Sequence, residues 1–103
     1  MDRKQIAIDF AKSLNHPEIE KIILFGSVAR GDDSEESDID IIILTRSIND
    51  EIKISDDVYT KVMDILLSLG ERISLKIIPQ KHYYTHKNFP FYTNVEKEEI
   101  IIG

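Results

Sequence analysis

The sequence predicts an α/β (α+β) sandwich in which a mixed β-sheet carries helices packed on one face. Three observations predict it: two segments with apolar residues at helical spacing, three isoleucine-rich runs of strand length, and their order of helix, strand, loop, strand, helix, strand. In the first segment Ile6, Phe10 and Leu14 recur every four residues with Ala7 and Ala11 beside them, an amphipathic stripe that Asn15-His16-Pro17 ends. Ile19 to Phe25, closed by Gly26, reads as a strand, with Ile22 to Phe25 buried on both faces. Val28-Ala29-Arg30 reads as a first helical turn. Gly31 to Ser37 holds no apolar residue and reads as an exposed loop, after which a second strand runs from Asp38 to about Thr45. Arg46 to Asp57 reads as a polar connection, with Ser55 or Asp56 capping a helix whose apolar face is Val58, Val62, Ile65, Leu66 and Leu69 and which stops at Gly70. Ile73, Leu75 and Ile77 then alternate with Ser74 and Lys76 in a third, half-buried strand that Pro79 stops. The tail carries Tyr83, Tyr84, Phe89, Phe91 and Tyr92, expected to pack against the sheet, and Ile100 to Ile102 has the makings of a short edge strand.

A chain of 103 residues can bury one hydrophobic core, so residues 1–103 are expected to form a single domain. With 42% hydrophobic and 31% charged residues it is too apolar for a disordered chain. Its apolar runs, Ile22 to Phe25 and Ile41 to Leu44, fall far short of the roughly 20 residues needed to cross a bilayer. The N-terminus mixes Asp2 and Asp9 with Arg3 and Lys4 and has no apolar core of a signal peptide, so the cytoplasm is the expected location. The absence of cysteine removes disulfides, thiol nucleophiles and thiolate-bound zinc. A net charge of -6 is the wrong sign for gripping nucleic acid directly, yet a phosphate ligand stays open, because a cation can bridge an acidic site to an anion. Composition leaves the oligomeric state open.

Two aspartates carry the chemistry. Asp38 and Asp40 are two apart on the predicted strand, so both side chains emerge on one face within about 7 Å. The simpler reading of an Asp-x-Asp is a solvated pair at a strand's edge. A second reading is that the carboxylates share a hard divalent cation, Mg2+ or Mn2+, of the kind that clamps oxygens in phosphoryl and nucleotidyl transfer. Gly26-Ser27 follows a strand directly. Its glycine lets backbone N–H groups approach a phosphate, the Ser27 hydroxyl can donate to it, and Arg30 can add a full positive charge. Alone, Gly-Ser is an ordinary turn, and no Gly-Lys-Ser/Thr of a Walker A loop exists in the chain. His82 and His86, four apart, could share a helical face as a metal pair but have no third ligand nearby in sequence. The acidic run Asp32, Asp33, Glu35 and Glu36 reads as a solvated loop, with a role in steering metal or a basic partner as its alternative.

The combination is more specific than its parts. Gly26-Ser27, ten residues from Val28 to Ser37, then Asp38-Ile39-Asp40, with Ala29-Arg30-Gly31 inside the gap, resembles the signature of the DNA polymerase beta superfamily. The chain is most similar to its minimal nucleotidyltransferases, the small partners of HEPN ribonuclease toxins, and the stretch from Pro90 to Ile102 is also similar to the ending of many of these proteins. The resemblance implies a nucleotidyltransferase fold and transfer of a nucleoside monophosphate, AMP from ATP, with Asp38 and Asp40 as the catalytic and Mg2+-binding residues. Gly26, Ser27 and Arg30 would then be the nucleotide-binding residues. In the antitoxin branch it implies a tyrosine of the HEPN toxin as acceptor. One departure stands out. Active members usually carry a third carboxylate on the strand after the second helix, where this chain offers Ser74 and Lys76, with Glu71 one residue before the strand. A catalytically weak antitoxin that neutralises its toxin by binding is therefore the alternative. A small-molecule (antibiotic) nucleotidyltransferase is a further one, lacking here the extra substrate domain such enzymes carry.

Overall fold

The computed structural model describes residues 2–103. In order along the chain it contains α1 (Arg3–Ser13), β1 (Ile19–Phe25), α2 (Gly26–Arg30), β2 (Ile39–Thr45), α3 (Asp50–Leu69), β3 (Ile73–Pro79), α4 (Gln80–Thr85), α5 (Pro90–Glu98) and β4 (Ile100–Ile101). The four strands form one sheet in the order β3-β2-β1-β4. β1 runs antiparallel to both β2 and β4, whereas β2 and β3 are parallel and joined through α3, so the sheet is mixed as predicted. Ile100 and Ile101 pair with Leu24 and Ile23 as the expected short edge strand.

Alternation along β2 sorts the molecule into layers. Ile39, Ile41 and Ile43 face one side, where they join Ile6, Phe10, Val28, Ile54 and Val58 from α1, α2 and α3 in the larger core. Ile42 and Leu44 face the other side and meet Ile23, Ile78, Tyr83 and Val95. The aromatic tail thus packs on the sheet as expected, and does so as α4 and α5, a second helical layer opposite α1 and α3. Runs such as Ile22-Ile23-Leu24 and Ile41 to Leu44 are apolar toward both faces, and a single layer of helices would leave half of them in water.

Two expected boundaries need correction. Arg46 to Asp57 is not a polar connection, since α3 begins at Asp50. The backbone N–H of Ser47 donates to Asp50 Oδ2 at 2.9 Å and the Asp50 N–H donates to the Ser47 carbonyl at 3.2 Å, a turn that leads into the helix a turn and a half before Ser55, with Asn49 at the N-cap. Ile54, fully buried, belongs to the same apolar face as Val58. The second strand begins at Ile39, which leaves Asp38 just outside it.

Candidate active site

Asp40 lies at the beginning of β2, between Phe25 of β1 and Ser74 of β3, and alternation turns it toward the α5 side of the sheet. Asp38, one residue before the strand, is close enough for its charge to act on Asp40. Burial pushes the Asp40 carboxyl up from its ordinary value, the Asp38 and Glu98 charges push it further, and Arg30 opposes them. Asp38 is 42% exposed at its side chain, with Arg72 Nε 3.1 Å from its Oδ1. That contact is too poorly aligned to be a hydrogen bond, and Oδ1 is buried with no donor among the described residues. A half-buried carboxylate under like-charge repulsion, beside another with an oxygen lacking a donor, has the oxygen chemistry a divalent cation requires. No cluster of three or more His, Cys, Asp or Glu side chains arranged to hold a metal is found among the described residues, so the pair stands by itself in this arrangement.

Gly26 closes β1 and opens α2 with a φ of +76°. A Cβ on Gly26 would stand 2.2 Å from Asp40 Oδ2, so the absent side chain is the space the carboxylate occupies. The sequence assigned this glycine to close approach of a phosphate; its immediate neighbour is the metal-ligand candidate itself. The Ser27 carbonyl accepts the Gly31 N–H at 2.9 Å and the Asp32 N–H at 3.1 Å, which fixes the turn after α2. Arg30 extends from that turn between two acids, with Nε 3.2 Å from Asp32 Oδ2 and Nη1 donating to Glu98 Oε2.

The five residues singled out in the sequence are therefore gathered around one end of the β1–β2 pair. The acid sought on β3 is not there: Ser74 is the register partner of Asp40, and Lys76 sits 5.4 Å from the centre of the Phe91 ring. Glu71 does not reach in either, because Arg3 Nε holds its Oε2 at 2.8 Å. The same guanidinium binds Asp33 Oδ2 at 2.9 Å and the carbonyls of Ser34 and Glu35, so the acidic loop is partly tied to α1 rather than wholly solvated. His82 of α4 and His86, the residue that caps its C-terminus, lie with ring centres 4.2 Å apart at the far end of β3 from Ser74. The residue that the sequence did not single out is Glu98, at the end of α5. Its separation of 58 residues from Asp40 offers no pattern by which it could have been found.

A model of the family described as polymerase beta nucleotidyltransferase matches residues 8–101. Over 91 residues the chain is 38% identical to the candidate protein adenylyltransferase MJ0604 of Methanocaldococcus jannaschii, spanning 88% of this chain and 85% of that one. It is 36% identical over 77 residues to a second candidate protein adenylyltransferase of that organism, MJ0141, spanning 66% of this chain and 77% of the relative. Among solved structures it is similar to a toxin-antitoxin with AMP-PNP, at a TM-score of 0.63 and 20% identity, with 100% of this chain and 73% of the other covered. It is likewise similar to the toxin-antitoxin MntA-HpeT, at a TM-score of 0.61 and 18% identity over the same shares. These two likenesses are of fold.

Proposed function

Because this chain belongs to the polymerase beta nucleotidyltransferase family, we propose that it transfers AMP from ATP to a hydroxyl acceptor, a tyrosine of a partner HEPN-type toxin, and so acts as an antitoxin. The observation that carries this reading is the packing of Gly26 against the Asp40 carboxylate, which couples the turn expected to hold phosphate to the acid expected to hold metal. The candidate adenylyltransferases among its relatives support AMP and a protein acceptor, and the toxin-antitoxin neighbours, one with AMP-PNP, support the kind of partner.

In the reaction the acceptor oxygen bonds to the α-phosphorus while the bond from that phosphorus to the α,β-bridging oxygen breaks, pyrophosphate leaves, and the acceptor's proton passes to solvent water. Asp38 and Asp40 would hold Mg2+ or Mn2+, which supplies positive charge against the triphosphate. Gly26 and Ser27 offer backbone N–H groups and a hydroxyl to phosphate oxygens, and Arg30 adds a guanidinium once it leaves its acidic partners. Asp38 and Ser74 are solvent-exposed or half so, which leaves this end of the sheet open to an acceptor's surface.

One observation favours the second reading, a binding antitoxin with weak or no turnover: the residue beside Asp40 on β3 is Ser74 and not an acid. The two are separated by incubating the protein with labelled ATP, Mg2+ and the product of the neighbouring gene, followed by mass spectrometry of both proteins. Addition of one AMP to a tyrosine of the partner, abolished in Asp38→Ala/Asp40→Ala, is the expected result. A partner that is inhibited without being modified makes the protein a binder.

A further inference from the structure

Two carboxylates leave the site one acid short, and β3 does not supply the third. α5 ends at Glu98, and β4 follows at Ile100 in antiparallel register with β1, Ile100 against Leu24 and Ile101 against Ile23. Continuing that register toward the start of β4 brings the last turn of α5 to the level of Phe25 and Gly26, the edge of the sheet where Asp40 stands. The Phe25 and Phe91 rings, 5.8 Å apart and edge to face, fasten α5 to this end. Glu98 is 21% exposed at its side chain and accepts from Arg30 Nη1, while Arg30, 46% exposed, is also shared with Asp32. α5 also packs against α2, the short helix that Gly26 opens.

We propose that Glu98 is the third carboxylate of this site, supplied by α5 in place of β3 and held away from Asp38 and Asp40 by Arg30 until a triphosphate draws the guanidinium to itself. The proposal rests on the nucleotidyl-transfer reading above. Its logic is charge balance at short range. With Arg30 in place, Glu98 has a counter-ion and the aspartates stand as a pair. A bound triphosphate competes for the same guanidinium with fork-like phosphate contacts, which leaves Glu98 unpaired beside two other carboxylates. Three acids without a cation repel one another, so release of Glu98 is favourable only as a divalent ion enters. Nucleotide and metal are thereby coupled through one side chain, and the coupling is reciprocal.

Glu98→Gln separates this from a plain structural clamp, because the two quantities it affects move in opposite directions. The probes are Mn2+, followed by the electron paramagnetic resonance of the free ion, and AMP-PNP, followed by calorimetry in EDTA. Loss of the carboxylate should weaken Mn2+ in the presence of AMP-PNP by about tenfold or more. It should tighten AMP-PNP without metal by up to about fivefold, the worth of one exposed ion pair. Glu98→Asp should keep most of the metal affinity. Arg30→Gln gives the mirror result, tighter Mn2+ without nucleotide and weaker AMP-PNP, and it serves also if Glu98→Gln folds poorly. Both affinities unchanged in Glu98→Gln, or both weakened together with a lower melting temperature, would overturn the proposal. If the wild type binds Mn2+ and AMP-PNP no better than Asp38→Ala/Asp40→Ala, the nucleotidyl-transfer reading falls and this proposal with it. Failure in the Glu98 variants alone leaves that reading intact.

Discussion

Replacing Gly26 with alanine probes the candidate site through the backbone. At a φ of +76° an L-residue carries a strain of about 1–2 kcal/mol. The new Cβ would also stand 2.2 Å from Asp40 Oδ2 and 3.1 Å from Asp40 Cγ, so the carboxylate has to swing by roughly 1 Å to regain van der Waals distance. Driving a side chain off its rotamer costs about 0.5–1.5 kcal/mol, which brings the expected loss for Gly26→Ala to about 2–3 kcal/mol. Gly70 supplies the control: its φ is +70° and nothing lies within 4 Å of its Cβ position, so alanine there should cost the strain alone. At about 4–8 °C of melting temperature per kcal/mol for a domain near this size, the two variants are separable by thermal unfolding. Asp40→Ala removes the obstructing carboxylate, so in that background Gly26→Ala should cost no more than Gly70→Ala, a coupling of about 1 kcal/mol in a double-mutant cycle. The displaced carboxylate should also lower Mn2+ affinity in Gly26→Ala by about tenfold, and leave it alone in Gly70→Ala. Equal melting of Gly26→Ala and Gly70→Ala, with no coupling to Asp40 and wild-type Mn2+ binding, would refute the reasoning.

Ser74→Asp places an acid beside Asp40 in the β2–β3 register, and it should raise AMP transfer to the partner toward the about 10² to 10⁴-fold that a general base contributes, provided Asp38 is present. An increase that persists in Asp38→Ala would mean the new acid works outside the site. Ile54→Ala should destabilise by about 2–5 kcal/mol and Ile52→Ala by less than about 0.5, since Ile54 is fully buried on α3 and Ile52 is 81% exposed; equal unfolding midpoints in urea would place the start of α3 elsewhere. Lys61 and then His16 hold the Asp57 carboxyl below its ordinary value of 3.8. A lowered folded-state value stabilises the fold above pH 3.8, an effect lost as pH falls through that lowered value, so Asp57→Asn should melt below wild type at pH 7 and converge with it in acid. A gap between the two melting temperatures that persists unchanged in acid would assign the effect to packing instead.

Periodicity made most of the fold legible. Apolar residues three or four apart mark the inward faces of α1 and of the second half of α3, alternation marks β3, and continuous isoleucine-rich runs mark β1 and β2 as buried on both sides. The first half of α3 escaped it because Asp50 to Asp57 carries mostly charged residues around one buried isoleucine. Ile54 lies four before Val58 and is the signal available, outweighed by the polarity of the stretch. The aromatic packing of the tail is legible and its helices are less so, although Pro90 near the first position of α5 is a helix start signal. Val95 and Tyr83 are buried there because β1 and β2 are apolar on both faces, and that demand arises in the sheet rather than in the tail.

The site divides along the same line between local and distant causes. That Asp38, Asp40, Gly26 and Ser27 come together is legible because their spacing sets them at neighbouring ends of β1 and β2. Glu71 shows the limit of such reasoning, since its position beside β3 suits a third acid and only the three-dimensional reach of Arg3, 68 residues away, removes it. Glu98 is the converse case. In sequence it is one of several acids near a helix end, and it gains meaning only when β4 pairs with β1 and carries α5 to the rim beside Gly26. Glycine at position 26 joins the two kinds of cause. The positive φ of the turn requires it locally, and the Asp40 carboxylate requires it from the neighbouring strand, so a substitution there would disturb the turn proposed to hold phosphate and the acid proposed to hold metal together.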